Sequence, residues 1–222
     1  GAPIRAVGAT RSSGRSTALL VHDDAPYKSF ADLKGKRIGT GKGSVGHFLA
    51  VAAREQAGLG RRDVQIVFLS PAEAKSAFAS RQIDAWSSWG QYVYLAEAQD
   101  KARILLDGRG LMSGLSFQAA TQPAIAGKRA EIAEFLRLWA EALRWGDRNL
   151  DRYAQSWARE TGVTEEVARR TLDARGFLPV PVDEQVIDAQ QRTVDLYTRE
   201  GLLPAGVDVR RSFDPSFNAY SS

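Results

Sequence analysis

One stretch limits what this chain can become: Gly35-Lys-Arg-Ile-Gly-Thr-Gly-Lys-Gly-Ser-Val-Gly-His-Phe-Leu49. A short apolar run ends at Ile38 and Gly39. Gly39, Gly41 and Gly43 then let the backbone bend and come close to a neighbour. Ser44 is a good N-cap, and Val45, Leu49, Ala52 and Ala53 follow at helical spacing as far as Gln56. The stretch reads as a buried strand, a glycine turn and a helix start. Such a helix aims free N–H groups and the positive end of its dipole beyond the strand, which suits a small anion.

Around this stretch the pattern alternates. Strands are expected at Ile4 to Thr10, Thr17 to Val21, Asp63 to Leu69, Ile83 to Trp86, Ala102 to Leu106 and Leu115 to Thr121. Ser29 to Leu33 makes one helical turn. Ser70-Pro-Ala-Glu73 is a capping box that opens a helix, and Trp89 to Gln99 reads as another. Strands alternating with helices over residues 17–121 predict an α/β unit with a largely parallel sheet, whose ligands gather beyond the carboxyl ends of the strands. From Lys128 onward only helices are expected. Ile132, Phe135, Leu136, Trp139 and Leu143 form one apolar face, and later helices span Asn149 to Arg159, begin at the cap Thr164, and run from Asp183 to Gly201. Residues 207–222 read as a polar, irregular tail.

Composition removes several function classes. The chain has 222 residues and no cysteine, so disulfides and thiolate metal sites are out of reach. Its two histidines form no His-x-x-x-His pair. The net charge of +4 is spread as arginines among glutamates with no polybasic block, so nucleic acid is not an expected partner. No apolar run approaches the ~18 residues of a membrane span. No signal peptide opens the chain at Gly1-Ala-Pro-Ile4, which reads as a turn into a strand in mid-domain.

Gly41-Lys-Gly-Ser-Val-Gly46 fits the dinucleotide pattern G-x-G-x-x-G. The acid at a suitable distance, Asp63, opens its strand instead of closing it, and Lys42 is followed by glycine where a Walker loop needs Ser or Thr. Two readings stay open: a turn that packs helix on strand, or anion capture by the Ser44 hydroxyl and the amides of Val45, Gly46 and His47. His47, in the first helical turn, is expected neutral and able to donate one hydrogen bond; a structural histidine is the alternative. Trp86 and Trp89 could wall a pocket for an organic group, or serve as core. The loop Arg11-Ser-Ser-Gly-Arg-Ser16 either supplies further donors or is merely solvated. Trp139, Trp145 and Trp157 read as packing residues. No G-x-S-x-G elbow or paired-carboxylate pattern marks a catalytic centre.

Several segments carry a resemblance. Phe30-Ala-Asp-Leu-Lys-Gly-Lys-Arg-Ile-Gly39, Gly43-Ser44 with His47, Leu69-Ser-Pro-Ala-Glu-Ala74, Ala77-Phe78, Ile83-Asp-Ala-Trp86 with Trp89, and Leu115-Ser-Phe-Gln-Ala-Ala120 resemble type II periplasmic solute-binding proteins, in their aliphatic-sulfonate branch. Gln118 stands where the family often has Tyr. The resemblance implies the periplasmic-binding-protein-like type II α/β fold: two α/β lobes, a hinge and a helical C-terminal part. Residues 1–24 would supply part of lobe 1 and the hinge strand, 25–115 lobe 2, and 116–222 a return strand and helices completing lobe 1. The family also carries a further part of lobe 1 before the Gly1 position. The implied function is capture of an aliphatic sulfonate for an ABC permease, in the periplasm, by a monomer with no catalysis and no cofactor. Ser44, Val45, Gly46 and His47 would hold the anion, Trp86 and Trp89 would flank the tail, and Ser12 and Ser13 would add contacts from lobe 1. Nitrate, taurine or a thiamine pyrimidine precursor, or a synthase-like enzyme on the same fold, are the alternatives.

Overall fold

The computed structural model describes residues 2–221. Gly1 and Ser222, the outer ends of the expected turn and tail, lie outside the described residues. In chain order the elements begin with strands β1 (Ile4–Arg11), β2 (Thr17–His22) and β3 (Arg37–Thr40), then helix α1 (Val45–Gln56), β4 (Gln65–Phe68) and α2 (Pro71–Ala79). Next come β5 (Ala85–Trp89), α3 (Gln91–Gln99), β6 (Ala102–Asp107), β7 (Leu115–Thr121) and the short α4 (Gln122–Gly127). The rest is helical, α5 (Arg129–Arg148), α6 (Leu150–Thr161), α7 (Glu165–Arg175) and α8 (Glu184–Arg199), with strand β8 (Leu178–Val180) before α8. The chain divides into two compact units.

The unit formed by Ser13–Met112 and Ala154–Arg175 is built on a five-stranded sheet of order β4-β3-β5-β2-β6. β3 runs parallel to both β4 and β5, whereas β2 is antiparallel to β5 and β6. The largely parallel sheet expected from the alternation is thus corrected. Four strands do share a direction, but β2 is inserted against them in mid-sheet. All six of its residues are buried, which its unbroken apolar run already required. One face of the sheet packs against α1 through Leu19, Val21, Ile38, Ala50 and Ala53. The other packs against α2, α3 and α7 through Leu20, Phe78, Trp86, Val93 and Val167.

The close seating of α1 on this sheet positions everything at its N-terminus. A Cβ at Gly46 would lie 2.5 Å from the Ser87 carbonyl oxygen and 2.8 Å from Thr40 Oγ1. With that space empty, the Ser87 hydroxyl donates to the Gly46 carbonyl (2.7 Å) and the Thr40 hydroxyl donates to the Ser87 carbonyl (2.9 Å). All three residues are buried.

The other unit comprises the residues up to Ser12, Ser113–Tyr153 and those from Gly176 onward. Its sheet is antiparallel, of order β7-β1-β8, with an irregularity between Ala6 and Gly8. Ala9, Val186, Ile187 and Phe213 make the core on one side, and Val7, Leu136, Ala140 and Phe217 on the other. On α5 the buried positions are Leu136, Ala140 and Gly146. Phe135, expected on that face, is 54% exposed. The tail is not irregular: 3-10 turns span Val209–Ser212 and Pro215–Ser221, and Phe213, Phe217 and Tyr220 are buried. Tyr220 ties two strands together, because its oxygen accepts from the Ala9 N–H and its hydroxyl donates to the Val180 carbonyl, both at 2.7 Å.

Two stretches pack differently from the lobe boundaries read in the sequence. Residues 13–24 belong with the five-stranded sheet because β2 is its inner strand. Residues 154–175 join the same unit because α7 packs on α3, where the Arg170 guanidinium lies over the Tyr94 ring (4.8 Å) and pairs with Glu97 (2.7 Å).

Both anchors can be tested by chemical denaturation. Gly46→Ala must push the Ser87 backbone aside and is expected to lower stability by about 1–3 kcal/mol despite the better helix propensity of alanine. Tyr220→Phe leaves the buried Ala9 N–H without its acceptor and is expected to cost about 1–3 kcal/mol.

Candidate functional site

β3, β4 and β5 end at one edge of the five-stranded sheet, at Thr40, Phe68 and Trp89. The glycine turn leaves β3 there. Gly43 has φ +70, a left-handed conformation that glycine adopts without strain, and the Ser44 N–H donates back to the Gly41 carbonyl (3.2 Å). Ser44 is the N-cap of α1, in extended backbone, with its hydroxyl oxygen accepting the His47 N–H (3.2 Å). The next two amides, of Val45 and Gly46, stand in the first turn, where helix geometry provides no intrahelical acceptor. The dipole of α1 adds partial positive charge at the same point.

His47 is 3% exposed, and its Nδ1 accepts the Gly43 N–H (3.2 Å). In the neutral ring the proton is then on Nε2. The ring meets Phe68 edge to face, with centroids 4.9 Å apart. Of the two open readings, the structure shows that the turn packs helix on strand.

The two tryptophans separate. Trp89 is the last residue of β5 and pairs with Thr17 of β2. It is partly exposed, and its Cη2 would lie 3.5 Å from a Cβ at Gly41, so the ring covers the glycine turn beside Ser44. Trp86 is 2% exposed and lies between Phe78 and Tyr92, with centroids 6.1 and 6.2 Å away. It is a core residue, so the expectation that it walls a pocket is corrected. β5 continues through Trp89 where the sequence reading ended it at Trp86, and an odd spacing along one strand puts two side chains on opposite faces.

The serines of the early loop also separate. Ser13 belongs to the same unit as α1, is exposed, and accepts the Arg15 N–H (3.4 Å) through its hydroxyl. Its loop runs beside the end of β5, where the Gly90 N–H donates to the Ser16 carbonyl (2.7 Å). Arg15 pairs with Asp173 of α7. Ser12 belongs to the other unit, where its N–H donates to the Gly114 carbonyl (2.9 Å). Asp63, the acid a dinucleotide would need, is engaged elsewhere. The Gly60 N–H and then Lys34 bond its carboxylate, holding it below the usual carboxylate range.

Phe68 and Lys42 also stand at this edge, and the sequence reading passed over them as candidates. Phe68 is 45% exposed at the end of β4, paired with Thr40, and the Lys42 ammonium lies 5.9 Å from its ring centroid. In the sequence Phe68 looks like any apolar residue of a buried strand. Only its place as the last strand residue, beside the glycine turn, hints otherwise. Among the described residues no group of three or more His, Asp or Glu side chains could hold a metal ion, and no helix is long and apolar enough to cross a membrane.

Comparison with known proteins places this edge in context. The chain is 34% identical over 212 residues to a protein of Escherichia coli (strain K12) whose name describes an aliphatic sulfonates-binding protein. The match covers 95% of this chain and 66% of that protein. The crystal structure of the periplasmic aliphatic sulphonate binding protein SsuA from Escherichia coli superposes with a TM-score of 0.89 at 33% identity, covering 97% of this chain and 71% of that one. The alkanesulfonate-binding protein SsuA from Xanthomonas axonopodis pv. citri, bound to MOPS, gives 0.88 at 32% identity, covering 96% and 74%. More distant structures share the fold alone, the desulfurization enzyme DSZB among them at 19% identity and a TM-score of 0.75. The chain has the periplasmic-binding-protein fold. A family model described as NMT1/THI5 like matches residues 1–145, and the chain belongs to that family.

Proposed function

We propose that this chain is the greater part of a periplasmic receptor that captures an aliphatic sulfonate and delivers it to an ABC permease, as a monomer and without catalysis. One observation carries the proposal. The Ser44 hydroxyl, the first-turn amides of Val45 and Gly46 and the His47 ring lie together at the start of α1, and the Trp89 ring stands beside them. Trp86 has no part in it. The exposed Ser13, of the same unit, is an additional contact. The similarity to sulfonate-binding proteins supports the choice of anion. The lobe assignment carries over in the form the packing favours, with residues 13–112 and 154–175 as the anion-binding lobe.

The chemistry is consistent with that anion. A sulfonate is a very weak base and stays ionised at ordinary pH. It needs donors, not a proton acceptor, and charge-assisted hydrogen bonds from amides and hydroxyls hold it without a salt bridge. An amide N–H cannot change protonation state either, so capture by backbone is insensitive to pH over the physiological range. There is no thiol in the chain to act as a nucleophile.

Titration calorimetry on the full-length protein with ethanesulfonate, sulfate, nitrate and a thiamine pyrimidine precursor tests the reading. Binding of ethanesulfonate in the micromolar range or tighter is expected. Binding of nitrate or the pyrimidine alone would replace the ligand class. The double substitution Ser44→Ala, His47→Ala removes two donors and is expected to weaken sulfonate binding by about tenfold or more. Unchanged affinity would move the site away from α1. Mass spectrometry of recovered ligand should find it unaltered, and a turned-over product would make the protein an enzyme.

A further inference from the structure

The unit built on the five-stranded sheet hides its large apolar side chains well. Among its described residues only Val45 and Phe68 are exposed large hydrophobics, each at 45%. Both stand at the edge where the anion site lies. Val45 is the first residue of α1, and Phe68 is the last residue of β4, opposite Thr40 in the parallel ladder. Phe68 and Trp89 project on the same face of the sheet. The first meets His47 of α1 edge-on, and the second covers Gly41 at the foot of α1. The glycine turn on the middle strand is therefore flanked by an aromatic ring on each neighbouring strand. Lys42, in the turn itself, is exposed and holds its ammonium near the Phe68 ring.

We propose that Phe68, Val45 and Lys42 determine which sulfonates the site accepts: the two apolar side chains carry the organic part of the ligand, and Lys42 rejects a cationic one. This rests on the sulfonate reading of α1 and names the class of ligand within it. An exposed apolar pair gains by covering itself with a carbon chain, in proportion to the area removed from water. A headgroup held at Ser44 projects its tail over one of the flanking rings. The ammonium beside Phe68 makes that side favourable for a neutral or anionic tail and unfavourable for an amine. Specificity of this kind comes from a repulsive element as much as from an attractive one. The preferred ligands are alkane- or arylsulfonates with several carbons and no positive charge.

Taurine and propanesulfonate form a nearly isosteric pair that differs in the terminal charge, and methanesulfonate and hexanesulfonate differ in tail length. Calorimetry on the full-length protein should show hexanesulfonate binding about tenfold or more tighter than methanesulfonate, and propanesulfonate tighter than taurine. Phe68→Ala should shrink the hexane-to-methane ratio by about tenfold, and Phe68→Leu should restore part of it. Lys42→Gln should narrow the propanesulfonate–taurine gap while leaving the hexane-to-methane ratio in place. A wild-type protein that binds all four sulfonates alike, or prefers taurine, overturns this inference while leaving the sulfonate receptor intact. So does a Phe68→Ala variant that loses affinity for every ligand by one common factor. Failure of the unsubstituted protein to bind any sulfonate overturns both.

Discussion

The contact of Gly46 with Ser87 is the constraint on which the rest of the site depends. A helix axis ordinarily stands well off a sheet, held there by side chains on both surfaces. Here the helix backbone at Gly46 comes close enough for the Ser87 hydroxyl to reach its carbonyl, and the Thr40 hydroxyl closes the chain of bonds from the adjacent strand. The contacts are buried, so they act in a medium of low dielectric where a satisfied polar network is rigid and a broken one is costly. They link the start of α1 to β3 and β5 together. These bonds restrain the first turn of the helix against tilting or sliding, and it begins beyond the end of β3. The turn from Gly41 to Ser44 is short because the helix starts so close to the strand it follows.

That seating also explains the division of labour among the aromatic residues. Side chains on the α1 face of β4 and β5 would normally be covered by a helix. α1 begins only at Val45, so the last residues of these strands, Phe68 and Trp89, lie beside its end and not beneath its body. They stay partly in contact with solvent, Trp89 at the end of a strand whose other residues are all buried and Phe68 at the end of the edge strand β4, none of whose residues is buried. Trp86, three residues earlier on the opposite face, meets α2 and α3 and is sealed. Burial at this edge follows from where a helix begins, and hydrophobicity alone could not assign it.

The same distinction marks how much could be read from the residues. Local chemistry was legible. Ser44, Ser70, Thr164 and Asp183 each accept a backbone N–H at the helix starts expected of them, because an N-cap depends on three or four neighbouring residues only. The glycine turn was legible for the same reason. What escaped were relations between distant segments. An apolar run such as Thr17 to His22 announces burial but not direction, so the antiparallel insertion of β2 could not be derived from alternation of strands and helices. The length of β5 was misjudged because Ser87 and Ser88 look like a loop; the buried Ser87 is satisfied by Gly46 and Thr40, some forty residues earlier. The tail looked polar because its three buried aromatics are spaced between Asp, Ser and Asn. Its order comes from Tyr220 and Asn218 bonding back to β1, β8 and Val182.

A site assembled this way separates affinity from selectivity. The proposed anion contacts are backbone amides, a hydroxyl and one imidazole, all positioned by packing, and none of them would tell one sulfonate from another. Cations nearby are used otherwise: Arg15 is paired with Asp173, and Lys42 stands over Phe68. A full salt bridge to the headgroup would add attraction for any anion, inorganic sulfate included, and would slow release. Neutral donors of fixed geometry would hold a headgroup with moderate strength. Discrimination then falls to the surroundings of the turn, where the side chains are exposed and contribute little to the packing of the unit. Those positions can change without disturbing the Gly46–Ser87 contact. Variation in ligand preference among proteins of this fold should therefore concentrate at the ends of β4 and β5, and the glycine turn between them should stay constant.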